Sequence, residues 1–145
     1  MIGEICTKPA VTVSAVALVR DAARLMRTTN VGALVVVDEG KPSGIVTDRD
    51  LALSVVAEGR DPESVRVREV MRKDPAVIDE GSGILDTLQM FRARGVRRLP
   101  VVNKTGILIG IITLDDLLIL LGTEMGHVSA AVSRELGQAT SAPTR

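Results

Sequence analysis

Tyrosine and tryptophan are absent from this 145-residue chain, and phenylalanine occurs once, as Phe91. The core must therefore be filled by Val, Leu, Ile, Ala and Met. Ring platforms of the kind that single-stranded nucleic acids stack on have almost no material. Cysteine also occurs once, Cys6, which excludes an intrachain disulfide framework. Cys6 is expected as a small apolar filler, with no base near it in sequence. The single histidine, His127, lacks the partners a zinc site needs, so no metal site is expected. Net charge is missing too: 18 basic and 18 acidic residues cancel. That argues against general nucleic-acid binding, while leaving room for a local basic pocket. No apolar run approaches the length of a membrane span. The N-terminal "MIGEICTKPA" carries Glu4 and no signal-peptide apolar stretch. These absences predict a soluble, cytoplasmic protein with neither a membrane nor a nucleic-acid partner.

What is present is an internal repeat. "GIVTDRDL" at 44–51 returns as "GIITLDDL" at 110–117, with five of eight positions identical. Further upstream the match continues at an offset of 65: Asp21 with Asp86, Val31 with Val96, Leu34 with Leu99, and Val36–Val37 with Val101–Val102. The one-residue slip falls in polar, Gly-bearing turns, where an insertion costs little. Two copies are too few for a solenoid and suit two half-domains about a pseudo-twofold axis. A chain of this length buries roughly 70% of its unfolded surface as one compact unit.

Each half reads in the same order. Short extended segments at 10–13 and 75–78 are followed by Ser14 and Asp79, residue types that cap helices. Ala15, Leu18, Val19, Ala22 and Met26 then lie at helical spacing, as do Ile84, Leu85, Leu88 and Phe91. The β-branched runs "ALVVVD" (33–38) and "LPVVN" (99–103) read as buried strands, and "GIVT" and "GIIT" as their hairpin partners. Helices follow over 48–57 and 114–121. The order is β-α-β-β-α, twice. Between the halves, 58–66 reads as a linker and the end of 58–74 as a short helix. Residues 124–136 can continue as a helix, "LLILL" at 117–121 is apolar all round, and 137–145 reads as a frayed tail.

The Thr-x-x-Asp pairs, Thr47/Asp50 and Thr113/Asp116, carry two readings. As capping boxes they satisfy the first amides of a helix. As a binding device, they place hydroxyl donors and an acceptor-only carboxylate where a helix N-terminus favours an anion. A ribose diol would suit that carboxylate better than a second anion.

With its aliphatic strand and helix before each motif, the doubled "GIVTDRD"/"GIITLDD" resembles a pair of CBS domains, a unit also called a Bateman module. The resemblance covers roughly 1–122. It implies an α/β (α+β) fold of two pseudo-symmetric β-α-β-β-α CBS motifs packed through their sheets, with motifs at 1–57 and 67–122 and a C-terminal helix or tail at 123–145. It implies two clefts between the halves, adenosine-bearing ligands and a homodimer. By the same resemblance, "RRLPVV" stands where the family carries His-Arg-Leu, with Arg97 in the histidine position.

One site is thus assigned to Ile45, Thr47 and Asp50 with Pro75, Ala76, Val77, Arg97 and Arg98. Asp50 is expected to take the ribose diol, Thr47 and the arginines the phosphate, and Ile45, Ala76 and Val77 the base. A weaker mirror site uses Ile111, Thr113 and Asp116 with Ala10, Val11 and Thr12. The positions matching Arg97 and Arg98 are Gly32 and Ala33 there, so charge would have to come from Lys8 or Arg72. The expected function is a non-catalytic adenine-nucleotide sensor acting on a separate, unknown target protein. AMP is the favoured ligand because two arginines match about one phosphate; ADP, ATP and S-adenosylmethionine are alternatives. No catalytic cofactor and no nucleophile–base set is expected. The competing reading is a homodimeric scaffold with vestigial pockets.

Overall fold

The computed structural model describes residues 1–141. A short helix, α1 (Ile2–Ile5), precedes two copies of one arrangement. In the first, β1 (Thr12–Ser14) leads through a turn to α2 (Val19–Thr29), then β2 (Ala33–Asp38), β3 (Lys41–Thr47) and α3 (Asp48–Leu51), which runs on as a π-type turn over Ala52–Val56. A 3-10 turn at Val67–Glu69 leads to β4 (Arg72–Lys73). The second copy has β5 (Ile78–Asp79), α4 (Ile84–Arg94), β6 (Arg98–Val102), β7 (Leu108–Thr113) and α5 (Leu114–Ser141). The predicted β-α-β-β-α order is thus present twice in a mixed α+β fold. The tail beyond 141 lies outside the described residues.

The sheets run β1-β2-β3-β4 and β5-β6-β7. In each, the first pairing is parallel and the second antiparallel, with a register shift at Val36/Val37 and again at Val101/Val102. The helix ends match as well. Asn30 (φ 56°) and Gly95 (φ 63°) close α2 and α4 in the left-handed region, donating to the Met26 and Phe91 carbonyls. The two hairpin turns, where the repeat slips by one residue, meet through the Leu108 N–H donating to the Gly40 carbonyl at 2.9 Å.

Each half lends its leading segment to the other. β4 precedes the second copy yet pairs with β3 of the first, at Gly44–Lys73 and Ile45–Arg72. In mirror image, Thr7 precedes the first copy yet exchanges two backbone hydrogen bonds with Ile111 on β7, at 2.9 and 3.0 Å. The cores follow the same exchange. Ile2 and Cys6 are buried with Phe91, Leu99, Ile112 and Leu117, whereas Val65, Val67 and Val70 are buried with Val19, Met26, Leu34 and Val46. The segment 58–66, expected as a linker, is therefore anchored: the Val65 carbonyl accepts from the Val19 N–H at 2.9 Å.

This exchange explains why each motif begins with glycine. A Cβ on Gly44 would lie 2.9 Å from the Arg72 carbonyl oxygen and 2.7 Å from Met71 Sδ. One on Gly110 would lie 2.6 Å from the Thr7 carbonyl oxygen and 2.8 Å from Cys6 Sγ. Only a residue without a side chain lets the crossing segment lie flat on the strand.

Several local expectations are corrected. Ser14 and Asp79 do not cap helices: Ser14 Oγ accepts from the Val16 N–H at 3.3 Å and Asp79 Oδ1 from the Gly81 N–H at 2.8 Å. These side chains close turns, and the helices begin five residues later at Val19 and Ile84. Ala15 and Leu18 consequently precede α2 rather than forming its face. On α4 the buried face includes Thr87, whose hydroxyl donates to the Gly83 carbonyl at 2.8 Å, while Leu85 is exposed. Within 117–121, a segment whose composition suits burial between halves or between subunits, Leu117 enters the core of this chain while Leu118 and Ile119 are exposed on it. Residues 122–137 of α5 are exposed throughout. Among the described residues no helix is long and apolar enough to cross a membrane.

Alanine at Gly44 or Gly110 should lower the free energy of unfolding by about 1–3 kcal/mol, the usual cost of forcing atoms into a filled space, as read from urea midpoints. Burial pushes the Cys6 thiol up from its ordinary value. Cys6 should consequently react slowly with a thiol reagent at neutral pH and at the rate of a free thiol once urea unfolds the chain.

Candidate functional site

A hollow of about 600 Å³ opens between the halves, within the usual range for small-molecule sites. It forms where β3 runs into α3 on one side and where the chain leaves β4 for Pro75 and Ala76 on the other. The α4–β6 connection, 94–98, completes it. Six of the eight residues assigned from sequence line it: Ile45, Thr47, Pro75, Ala76, Arg97 and Arg98. Val77 does not and is exposed, because the chain turns from the hollow towards β5.

Asp50 is also not among the lining residues. Its Oδ2 accepts from the Thr47 N–H at 2.9 Å, and its own N–H donates to Thr47 Oγ1 at 3.1 Å, a complete capping box. Its Oδ1 lies 3.5 Å from Arg72 Nε, and the side chain is only 12% exposed. Oδ2 thus accepts one hydrogen bond and Oδ1 faces a guanidinium, which leaves the carboxylate acceptor capacity but holds it in place beneath Thr47 and Arg72. The Thr47 hydroxyl keeps its hydrogen for a ligand, since Oγ1 is used only as an acceptor.

The basic character of the hollow exceeds what the motifs suggest. Arg49, Arg72, Lys73 and Arg94 line it together with Arg97 and Arg98, against two acids, Asp48 and Asp74. Arg72 is held by Asp50, and Arg97 donates to Asp115 at 2.8 Å. Among the described residues, Arg49, Lys73, Arg94 and Arg98 have no ion-pair partner. The sequence did carry a signal for two of the six lining cations: Arg72 and Lys73 stand immediately before the Asp74–Pro75 turn, on the strand that crosses to the first sheet.

The mirror hollow, about 280 Å³, is lined by Ala10, Val11, Ile111, Thr113 and Asp116, five of the six residues assigned to it. Thr12 is exposed on β1 and is not part of the lining. Thr113 and Asp116 repeat the capping box at 3.1 and 3.0 Å, but Asp116 has no ion-pair partner among the described residues, so its second oxygen is free. Neither Lys8 nor Arg72 reaches this hollow. Its cation is Arg98, which lines both hollows.

A pair of α+β repeats, interlocked by exchanged edge strands and with a cleft formed by each motif, defines a tandem-repeat module. The chain belongs to the CBS-domain family: the CBS domain model matches residues 2–57 and 67–122, the two repeats of one Bateman module. It is 37% identical over 124 residues to the CBS domain-containing protein YhcV of Bacillus subtilis, covering 86% of this chain and 85% of that protein. Other curated relatives are longer, and the chain spans 60% of one from Methanopyrus kandleri. Among solved structures, the CBS domain pair of protein MJ0100 in complex with 5′-methylthioadenosine and S-adenosyl-L-methionine has a TM-score of 0.76, at 25% identity over 86% of this chain and 97% of that one. CBSX2 in complex with AMP has a TM-score of 0.70, at 25% identity and the same coverage of both chains.

The capping role of Asp50 makes a separate prediction. Asp50→Ala should cost about 0.5–1.5 kcal/mol of stability, the net value of one hydrogen bond. Asp50→Asn keeps an oxygen for the Thr47 amide and should cost less; chemical denaturation of the two variants checks this.

Proposed function

We propose that the chain is a non-catalytic regulatory module that binds an adenosine nucleotide in the 600 Å³ hollow. The observation that carries this reading is the mixed lining of the hollow, where apolar Ile45 and Ala76 stand together with Thr47 and six cations. Ile45 and Ala76 offer a slot for a flat base; Thr47 and the guanidinium groups offer donors to phosphate through charge-assisted bonds. AMP in CBSX2, and the two adenosine compounds in MJ0100, support an adenosine-bearing ligand. Preference for a single phosphate rested on two arginines. With six cations against two acids on the walls, the charge balance supports ADP and ATP as well as AMP.

Ligand binding here would clamp the two repeats together, and a regulated partner would sense the resulting shift between arrangements. Self-association fits the exposed apolar residues carried by corresponding helices, Leu53 and Val56 after α3 and Leu118 and Ile119 on α5. The engagement of Asp50 by Arg72 and by the capping box favours a second reading, a scaffold whose pockets are vestigial.

Thermal melting separates the two. AMP, ADP or ATP at a hundred times its dissociation constant should add about 2.7 kcal/mol to the stability. Flat melting curves with all three, and with S-adenosylmethionine, would leave the scaffold. Sedimentation should show a dimer that Ile119→Glu weakens.

A further inference from the structure

We propose that Arg98 is a single cation shared by the two hollows, so that a phosphate-bearing nucleotide in one opposes a phosphate in the other. This rests on the nucleotide reading above and adds a coupling to it. Arg98 opens β6 and stands directly opposite Thr113 in the antiparallel ladder. Opposed residues of such a ladder present their side chains to the same face, and Thr113 lines the smaller hollow. The next residue back, Arg97, lines only the larger hollow. Arg98 therefore sits at the divide and contributes to both linings.

Three observations make the sharing consequential. First, Arg98 is half-buried and makes no side-chain hydrogen bond or ion pair among the described residues, so its five donors are free for a ligand. Second, the repeat is broken at this point: the matching position in the first half is Ala33, paired across from Thr47. The first half thus contributes no second guanidinium. Third, the hollows depend on Arg98 unequally. The larger one has five other cations on its walls, whereas Arg98 is the one Lys or Arg in the lining of the smaller. A phosphate in the larger hollow that draws the guanidinium leaves the smaller with Asp116 as its charged group, which favours an uncharged nucleoside there. The second oxygen of Asp116, which faces no cation among the described residues, suits a ribose diol better than that of Asp50, which already faces Arg72. A coupling of this kind is commonly 5- to 150-fold.

The test is methyl NMR with labelled isoleucine, titrating AMP and, separately, adenosine. Ile45 lines only the larger hollow and Ile111 only the smaller, so each reports one site. With AMP, the Ile45 methyl should saturate first and the Ile111 methyl at about tenfold higher concentration or more. With adenosine that gap should largely close. In Arg98→Gln, the Ile111 response to AMP should be no tighter than to adenosine, while the Ile45 response changes by a few-fold at most. Ala76→Leu, which fills the larger hollow, should tighten AMP at Ile111 about tenfold relative to the wild-type second step, because Arg98 is no longer divided. This variant also stands alone should Arg98→Gln fail to fold. The proposal is overturned if both methyls titrate together with AMP, if Arg98→Gln leaves the Ile111 response to AMP unchanged, or if Ala76→Leu leaves it as weak as before. If neither methyl responds to AMP while the chain remains folded, the nucleotide reading falls and the coupling with it.

Discussion

The structure depends on one close approach of backbones: a crossing segment lies against the third strand of the opposite repeat, over a glycine. Thr7 on Ile111 and Arg72 on Ile45 are the two instances. Much of what lines the hollows follows within a few residues of those crossings, and the helix-to-strand connections at 94–98 and 31–33 supply the rest. Pro75 and Ala76 come directly after one, Ala10 and Val11 directly after the other. Backbone hydrogen bonds fix the crossing segments in two dimensions, and the buried valines and isoleucines around them fix the third. Neither repeat is complete without chain that precedes the other, so the pair is the smallest unit with closed cores.

Much of this was legible in the sequence. The β-branched runs at 33–38 and 99–103 marked the central strands because strands buried on both faces leave little choice of residue. The duplicated glycine, threonine and acid located the strand-to-helix corners and hence the hollows. Local ambiguity defeated the helix starts: Ser14 and Asp79 have the right chemistry for capping, but the same oxygens close a turn equally well. What no local pattern could show was the exchange of edge segments. It is a long-range pairing, and it brings Arg72 to Asp50, giving the expected ligand acceptor an ion-pair partner. Arg94 was missed for a similar reason, since it lies outside the repeated motif and reaches the hollow only through the fold, and Arg49 because it occupies a motif position that the second copy fills with Asp115.

The two hollows show how duplicated backbone can diverge in chemistry. The same ladder position holds Arg98 in one copy and Ala33 in the other; the same capping acid is ion-paired in one and, among the described residues, has no ion-pair partner in the other. Geometry was retained because the crossing glycines, the matched bulges and the left-handed helix ends leave it little freedom. Charge at the rims is not constrained in that way. Zero net charge for the whole chain thus coexists with one strongly basic recess and one nearly neutral recess.

The distal part of α5 stands apart from this economy of contacts. The second core takes its last side chain from Leu117, and no residue from Gly122 to Gly137 is shielded from water. Those sixteen positions form a rod reaching about 24 Å past the body at the ordinary helical rise. A water-exposed helix of that length is marginal on its own, and Gly122, Gly126 and Gly137 weaken it further. Shortening the chain to a point just after Leu121 therefore removes, among the described residues, no buried side chain of either core.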